Sequence, residues 1–245
     1  MSTYYVDVAK YQSANLSAFK RAGATGAIVQ LTVGTSGTSI KAPKASAQIH
    51  SAHVLGLHRL FYHYCTFGHS VTQAEKEADF ACNRAKELGY KTIHIFADWE
   101  WQDNDTRGTV SQNTTAILAF MRRVHKHGFT TGLYSSASLL RTKINTKPII
   151  KEFGSCLWVA SYPTTGRTDK ANLNYFPSMD GVTIWQFTDN WKGLKVDGDL
   201  VVYDPFKLKK VQGTEPKPLK PKQKAASVSR ETYEITGSNI VIKKV

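Results

Sequence analysis

The sequence predicts an α/β fold: an irregular (β/α) barrel, TIM-like, with reduced helices in its second half and a basic C-terminal tail. Three observations carry this. Short apolar runs alternate with longer segments of helical period, which is the pattern of parallel strands covered by helices. Eight such runs fall within the first 206 residues, a length that suits a closed barrel. The helical signal thins after residue 160, and 162–181 shows no good helix.

The strand-like runs are Tyr4–Val8, Ala27–Thr32, Leu57–Thr66, Thr92–Trp99, Thr131–Ser135, Cys156–Ser161, Val182–Phe187 and Asp199–Tyr203, rich in the β-branched and aromatic residues that suit buried strands. Between them, Asn15–Ala22 and Ala42–Leu55 read as helices that stop before Gly23 and Gly56. Thr72–Leu88 opens with T-Q-A-E, a capping-box pattern, and ends before Gly89. Ser111–His127 begins on a serine cap and ends before Gly128.

Beyond Tyr203-Asp204-Pro205 the composition changes. Residues 1–206 read as the barrel, 207–224 as an extended Pro/Lys-rich linker, and 225–245 as a short tail, too small for its own core, that reads as the start of a further module or an isolated hairpin. The net charge of +13 first suggests nucleic acid. Its distribution argues otherwise: 207–245 holds ten basic and three acidic side chains, a net +7, and no nucleic-acid-binding motif accompanies it. Three cysteines (Cys65, Cys82, Cys156) give neither a disulfide framework nor metal-type spacing. No HExxH, GxSxG, Walker A or GxGxxG is present, and Asp103–Gly108 fails as a calcium loop because Arg107 takes a ligand position. No cofactor or metal is expected. Neither a signal-peptide pattern nor an apolar run long enough to span a bilayer is seen, so membrane insertion is not expected.

The chemistry concentrates in Thr92-Ile-His-Ile-Phe-Ala-Asp98-Trp-Glu100-Trp-Gln102. An apolar strand runs into two carboxylates at i, i+2, which strand alternation puts on one face, with Trp99 opposite. At the C-terminal end of a barrel strand they would point into the mouth, where repulsion raises one carboxyl and leaves the other charged. Glycoside hydrolysis needs such a pair. Asp7 closes the first strand and Asp199 opens the last; first and last strands meet when a barrel closes, so both are expected to face Glu100. Tyr62, Tyr64, Tyr134, Trp158, Tyr162 and Trp185 mark the same strand ends, where rings can stack on sugars.

These residues resemble the muramidases of glycoside hydrolase family 25, as in bacteriophage endolysins. The resemblance covers about residues 4–204: D-V-A-K-Y-Q at 7–12, F-Y-H-Y at 61–64, D-W-E at 98–100, G-L-Y at 132–134, L-W-V-A-S-Y at 157–162, I-W-Q-F at 184–187 and D-L at 199–200. It implies hydrolysis of the β-1,4 bond between N-acetylmuramic acid and N-acetylglucosamine in bacterial peptidoglycan. By position, Glu100 would be the general acid, Asp98 would stabilise or orient, Asp7 and Asp199 would hold the charge pattern and bind sugar, and Gln186 would join the aromatics in binding substrate. The family commonly carries Lys and Glu in its strand-two motif, where this chain has Gln30 and Val33. The alternative reading is a non-catalytic peptidoglycan-binding protein on the same barrel. Either would act at the cell wall, reached on release from the host cytoplasm at lysis or by another export route, and the basic tail would attract anionic wall polymers.

Overall fold

The computed structural model describes residues 3–35, 37–100, 108–163 and 166–203. The expected linker over 207–224 and tail over 225–245 lie outside the described residues, as do 101–107.

One sheet of nine strands runs through the described residues: β1 (Tyr4–Val8), β2 (Gly26–Thr35), β3 (Thr38–Lys41), β4 (His58–Tyr64), β5 (His94–Asp98), β6 (Thr130–Ser136), β7 (Leu157–Ala160), β8 (Val182–Thr188) and β9 (Asp197–Val201). Eight close a barrel in the order β1-β9-β8-β7-β6-β5-β4-β2, sealed by the parallel β1–β2 pairing; β3 only folds back along β2 as an antiparallel hairpin. The expected all-parallel barrel needs one correction, because β9 runs antiparallel to both β1 and β8. No helix separates it from β8, and a short connection can only return the chain in the opposite direction.

Helices α1 (Ser17–Arg21), α2 (Ala45–Val54), α3 (Val71–Glu87), α4 (Val110–Lys126), α5 (Ala137–Thr142) and α6 (Thr146–Phe153) cover the first part of the ring, and a single 3₁₀ turn at Leu173–Tyr175 follows β7. The second half is thus reduced as expected. Two caps differ from the sequence reading. Ser70, not Thr72, caps α3 by accepting from the Gln73 amide, and Thr109 forms a reciprocal capping box with Gln112 on α4 in place of Ser111. No helix among the described residues is long and apolar enough to cross a membrane.

Strand alternation sorts the buried side chains into two layers. Tyr5, Ile28, Leu60, Tyr62, Phe96, Tyr134, Trp158 and Ile184 fill the barrel interior. Their strand neighbours, among them Val6, Val29, Phe61, Ile95, Leu133, Leu157 and Trp185, pack outward in the larger core. Gly26 is required inside: a Cβ there would come within 2.5 Å of the Tyr5 ring.

A buried polar strut ties the ring to its helical coat. A bulge in β2 turns Thr32 outward beside His63 of β4. The His63 ring reaches Thr32 Oγ1 through Nδ1 and Glu77 of α3 through Nε2, both at 2.8 Å. Glu77 also accepts from the Thr66 amide and hydroxyl and from Gln73. His63, Cys65 and Glu77 place ligand-type atoms within 4.8 Å of one another. These atoms are already engaged internally, the Cys65 thiol by the His63 carbonyl, so the cluster is built as a strut. None of the three cysteines forms a disulfide.

Glu77→Ala would leave several buried donors without an acceptor. The expected cost is about 3–5 kcal/mol, read as a fall in Tm of about 10 °C in thermal unfolding followed by circular dichroism. An unchanged Tm would show that the strut carries no stability.

Candidate active site

The barrel opens at the C-terminal ends of its parallel strands, and there the interior residues change from aromatic and aliphatic to acidic. A cavity of about 190 Å³ sits in this mouth. β1 and the turn after it supply Asp7, Ala9, Tyr11 and Gln12; β2 supplies Gln30; β4 supplies Tyr62 and Tyr64; β5 and the residues after it supply Asp98 and Glu100. Tyr134, Trp158, Gln186 and Asp197 complete the wall from β6 to β9. Among the described residues, the lining contains four carboxyl groups and neither lysine nor arginine. A larger, shallow depression of about 480 Å³ lies on the outer surface beside α1 and α2, but Ala14, Asn15, Ser17, His50, Ser51, Val54 and Leu55 line it and no carboxyl does.

The backbone around the Asp98–Glu100 pair is clamped. Trp99 is fully buried on the outer side; its indole donates to the Gly68 carbonyl at 3.0 Å, its amide to the Tyr134 carbonyl at 3.0 Å, and its carbonyl accepts the Ser135 hydroxyl at 2.6 Å. With Trp99 fixed outward, Asp98 and Glu100 both project into the mouth. Asp98 is buried, whereas Glu100 is partly open to solvent. Burial, the Glu100 charge and a hydrogen bond with Glu100 raise the Asp98 carboxyl well above the usual range. Two close carboxyls linked in this way titrate as a pair and share a proton.

A second pair faces the first. Asp7 and Asp197 are opposite one another across the antiparallel β1–β9 ladder and hydrogen-bond through their side chains. Burial and the Asp7 charge push Asp197 up to about 9. Asp7 is also raised, by burial and then by Asp199, while a 2.9 Å bond from Gln186 Nε2 opposes the rise. The aromatic walls feel the same field: Tyr62 and Tyr134 are held well above the ordinary phenol value by burial and the surrounding carboxylates.

Two expected positions need correction. Asp199 does not line the mouth. Because β9 is antiparallel, its first residue, Asp197, is the one level with Asp7, and Asp199 pairs with Tyr5 one step deeper. Fully buried there, Asp199 accepts from the Trp158 indole at 2.7 Å, which fixes the Trp158 ring under the cavity. Trp185 points away from the mouth: Ile184 and Gln186 take the inward positions of β8, and Trp185 packs outside against Phe176, its indole donating to the Ser161 carbonyl at 2.7 Å. Tyr162 stands beside the cavity without lining it, its hydroxyl pushed up to about 12 by burial and by Asp197. The remaining expected residues, Asp7, Asp98, Glu100, Tyr62, Tyr64, Tyr134, Trp158 and Gln186, come together at the mouth.

Sequence reading missed Asp197, Tyr11 and Gln12. The D-G-D spacing at 197–199 held the signal, since both acids share a strand face and only the strand's direction decides which reaches the mouth. The turn carrying Tyr11 is pinned from below: Gln48 donates to the Ala9 carbonyl at 2.8 Å, Lys44 to the Gln12 carbonyl at 2.8 Å, and Gln12 Oε1 accepts from the Ala9 amide at 2.9 Å. The Tyr11 ring is left 80% exposed at the cavity edge.

A cavity lined by carboxyls and rings, with no cation among its described residues, suits a neutral polyhydroxylated ligand whose transition state gains positive charge. Comparison with known proteins agrees. The model of glycosyl hydrolases family 25 matches residues 6–195. The lysozyme of Lactococcus phage mv1 is 40% identical over 195 residues, covering 75% of this chain and 94% of that protein. The lysozyme of Streptococcus phage Cp-7 is 31% identical over 204 residues, 83% of this chain, which spans only 54% of that longer relative. Among solved structures, the modular Cpl-1 endolysin complexed with a peptidoglycan analogue superposes with a TM-score of 0.67 at 26% identity, over 82% of this chain and 54% of that one. The mouth geometry and these similarities lead to one assignment: the chain belongs to glycosyl hydrolase family 25.

Proposed function

We propose that this glycoside hydrolase is an N-acetylmuramidase of phage cell-wall lysis, cleaving the β-1,4 bond between N-acetylmuramic acid and N-acetylglucosamine in bacterial peptidoglycan. The observation that carries the reading is the pairing of Asp98 with Glu100 in an acidic cleft on a family 25 barrel.

The roles follow from burial. Glu100 is the more accessible member of its pair, so it delivers the shared proton to the glycosidic oxygen. Asp98, deeper and buried, is left with negative charge as positive charge develops on the sugar ring, acting at the anomeric centre or on the substrate acetamido group. Asp7 and Asp197 supply a further negative wall, and Tyr62, Tyr64, Tyr134 and Trp158 offer ring faces to the sugars. Mass spectrometry of digested peptidoglycan tests the assignment: muramic acid is expected at the new reducing end, and glucosamine there would refute it. A non-catalytic wall binder on this barrel would release no reducing sugar at all.

Glu100→Gln is expected to lower turnover of purified peptidoglycan by on the order of a thousandfold while leaving Tm unchanged. Wild-type lysis by that variant would remove Glu100 from the chemistry.

Asp197 carries a stability signature. Its carboxyl sits near 9 when folded and near 3.9 when unfolded, so its protonation favours the folded state at low pH. That contribution is lost as pH rises from about 4 to about 9. Asp197→Asn should therefore gain stability relative to the wild type between pH 5 and pH 9 in urea unfolding. A constant difference across that range would refute the raised carboxyl.

We further propose that the enzyme acts at the cell wall reached at lysis, and that the basic stretch over 207–245, net +7, strengthens attachment to anionic wall polymers. Removing 207–245 should leave cleavage of soluble fragments intact and weaken sedimentation with whole walls, most strongly at low salt. Equal, equally salt-dependent binding by the shortened chain would overturn this role.

A further inference from the structure

The side chain that connects the two halves of the acidic mouth is neutral. Gln186 lies in the barrel interior on β8, 3% exposed, between Tyr134 on β6 and Asp7 on β1. The Tyr134 hydroxyl donates to Gln186 Oε1 at 2.9 Å, and Gln186 Nε2 donates to Asp7 Oδ2 at 2.9 Å. A carboxamide has one donor end and one acceptor end, so the first bond dictates the second. With the hydroxyl holding the oxygen, the nitrogen must face Asp7. Turned over, the amide would set oxygen against a carboxylate, and the buried NH₂ would meet the hydroxyl.

Asp7 is surrounded by groups that oppose its ionisation. Burial, Asp199 on β9 and Glu100 just after β5 oppose it, with Asp98 and the Tyr62 phenol in the same field, while the hydrogen bonds from Gln186 and Asp197 favour the charged form. Among the described residues no cation lines the cavity to offset the opposing charges. Within the Asp7–Asp197 pair, one carboxyl must donate the hydrogen bond that joins them, and the amide bond to Asp7 decides which. An oxygen that accepts from Gln186 is stabilised as an anion, which makes Asp197 the donor.

We infer that Gln186, oriented by Tyr134, is a positioning residue that holds Asp7 as the charged member of the Asp7–Asp197 pair and leaves the shared proton on Asp197. This rests on the muramidase reading. It deepens that reading by fixing where negative charge stands on the side of the mouth opposite Asp98 and Glu100. Gln186 touches no reacting atom; it acts through Asp7.

The test uses the full chain with Gln186→Leu, Tyr134→Phe and the double variant, assayed on purified peptidoglycan across pH. Loss of the amide donor should move the acidic limb of the kcat/KM profile upward by about one pH unit. Tyr134→Phe should move it in the same direction but less, because the amide is then free to turn. The double variant should shift no further than Gln186→Leu, as expected of residues acting in one chain. A merely structural role would lower Tm or rate without moving the limb, and that result overturns the inference. A shift in Gln186→Leu with none in Tyr134→Phe overturns the orienting part. Carboxyl titration by ¹³C NMR, without substrate, gives a second readout in the same variants. If the wild type releases no reducing sugar, the muramidase reading fails, yet the Asp7 carboxyl should still titrate higher in Gln186→Leu. An Asp7 titration identical to wild type overturns the inference on its own. Should Gln186→Leu fail to fold, the Tyr134→Phe profile and titration, which remove a single hydroxyl, decide the matter.

Discussion

The governing constraint is the mutual repulsion of carboxyl groups held in a mouth whose described lining offers them no counter-charge. Asp7, Asp98, Glu100 and Asp197 line one small cavity, and Asp199 lies directly beneath. In water such a group would simply ionise; between aromatic walls it cannot. The accommodation is proton sharing, in which each carboxyl pair is joined by a hydrogen bond and carries less than its full charge. The surrounding apparatus serves that arrangement. Trp99 clamps one pair, the antiparallel ladder aligns the other, and Gln186 spans to Tyr134 across the interior. Folding against such repulsion is costly, and the large outer core with its His63–Glu77 strut offsets it at a distance from the site.

Much of this was legible in the amino-acid order, for identifiable reasons. β1 and the D-W-E strand end could be read because buried parallel strands are continuous apolar runs, and a carboxylate closing such a run is conspicuous. Helices α1 to α4 were visible from period and from the glycine that follows each predicted segment, while α5 and α6, six and eight residues packed between β6 and β7, were not. β3 is four mostly exposed residues in a hairpin and has no apolar signature.

Errors at the site had one source, the orientation of elements that sequence alone does not fix. Asp197 and Asp199 lie on the same face of β9, and only the antiparallel direction of that strand puts the first at the mouth and the second below it. Trp185 was misplaced by one position of alternation; a one-residue step in a strand exchanges inside for outside. Both caps were displaced by two residues toward the C-terminus because serine and threonine are frequent near both helix starts, and only geometry shows which hydroxyl receives the amide. Charge was the most misleading summary of all: a chain of net +13 carries a mouth with no cation among its described lining residues.

The direction of β9 has a consequence for how the enzyme can be attached to anything else. The strand starts at the mouth and ends at the floor, where the Val201 amide donates to the Thr3 carbonyl at 3.0 Å. Entry to and exit from the barrel are therefore adjacent, on the pole opposite the cleft. Tyr203, the last of the described residues, thus lies just past the strand end that is farthest from the cleft. The same adjacency means a short peptide could join residues 3 and 203 and the chain be reopened in a surface loop without disturbing the mouth. A barrel closed by a parallel last strand would instead have ended that strand at the active-site rim.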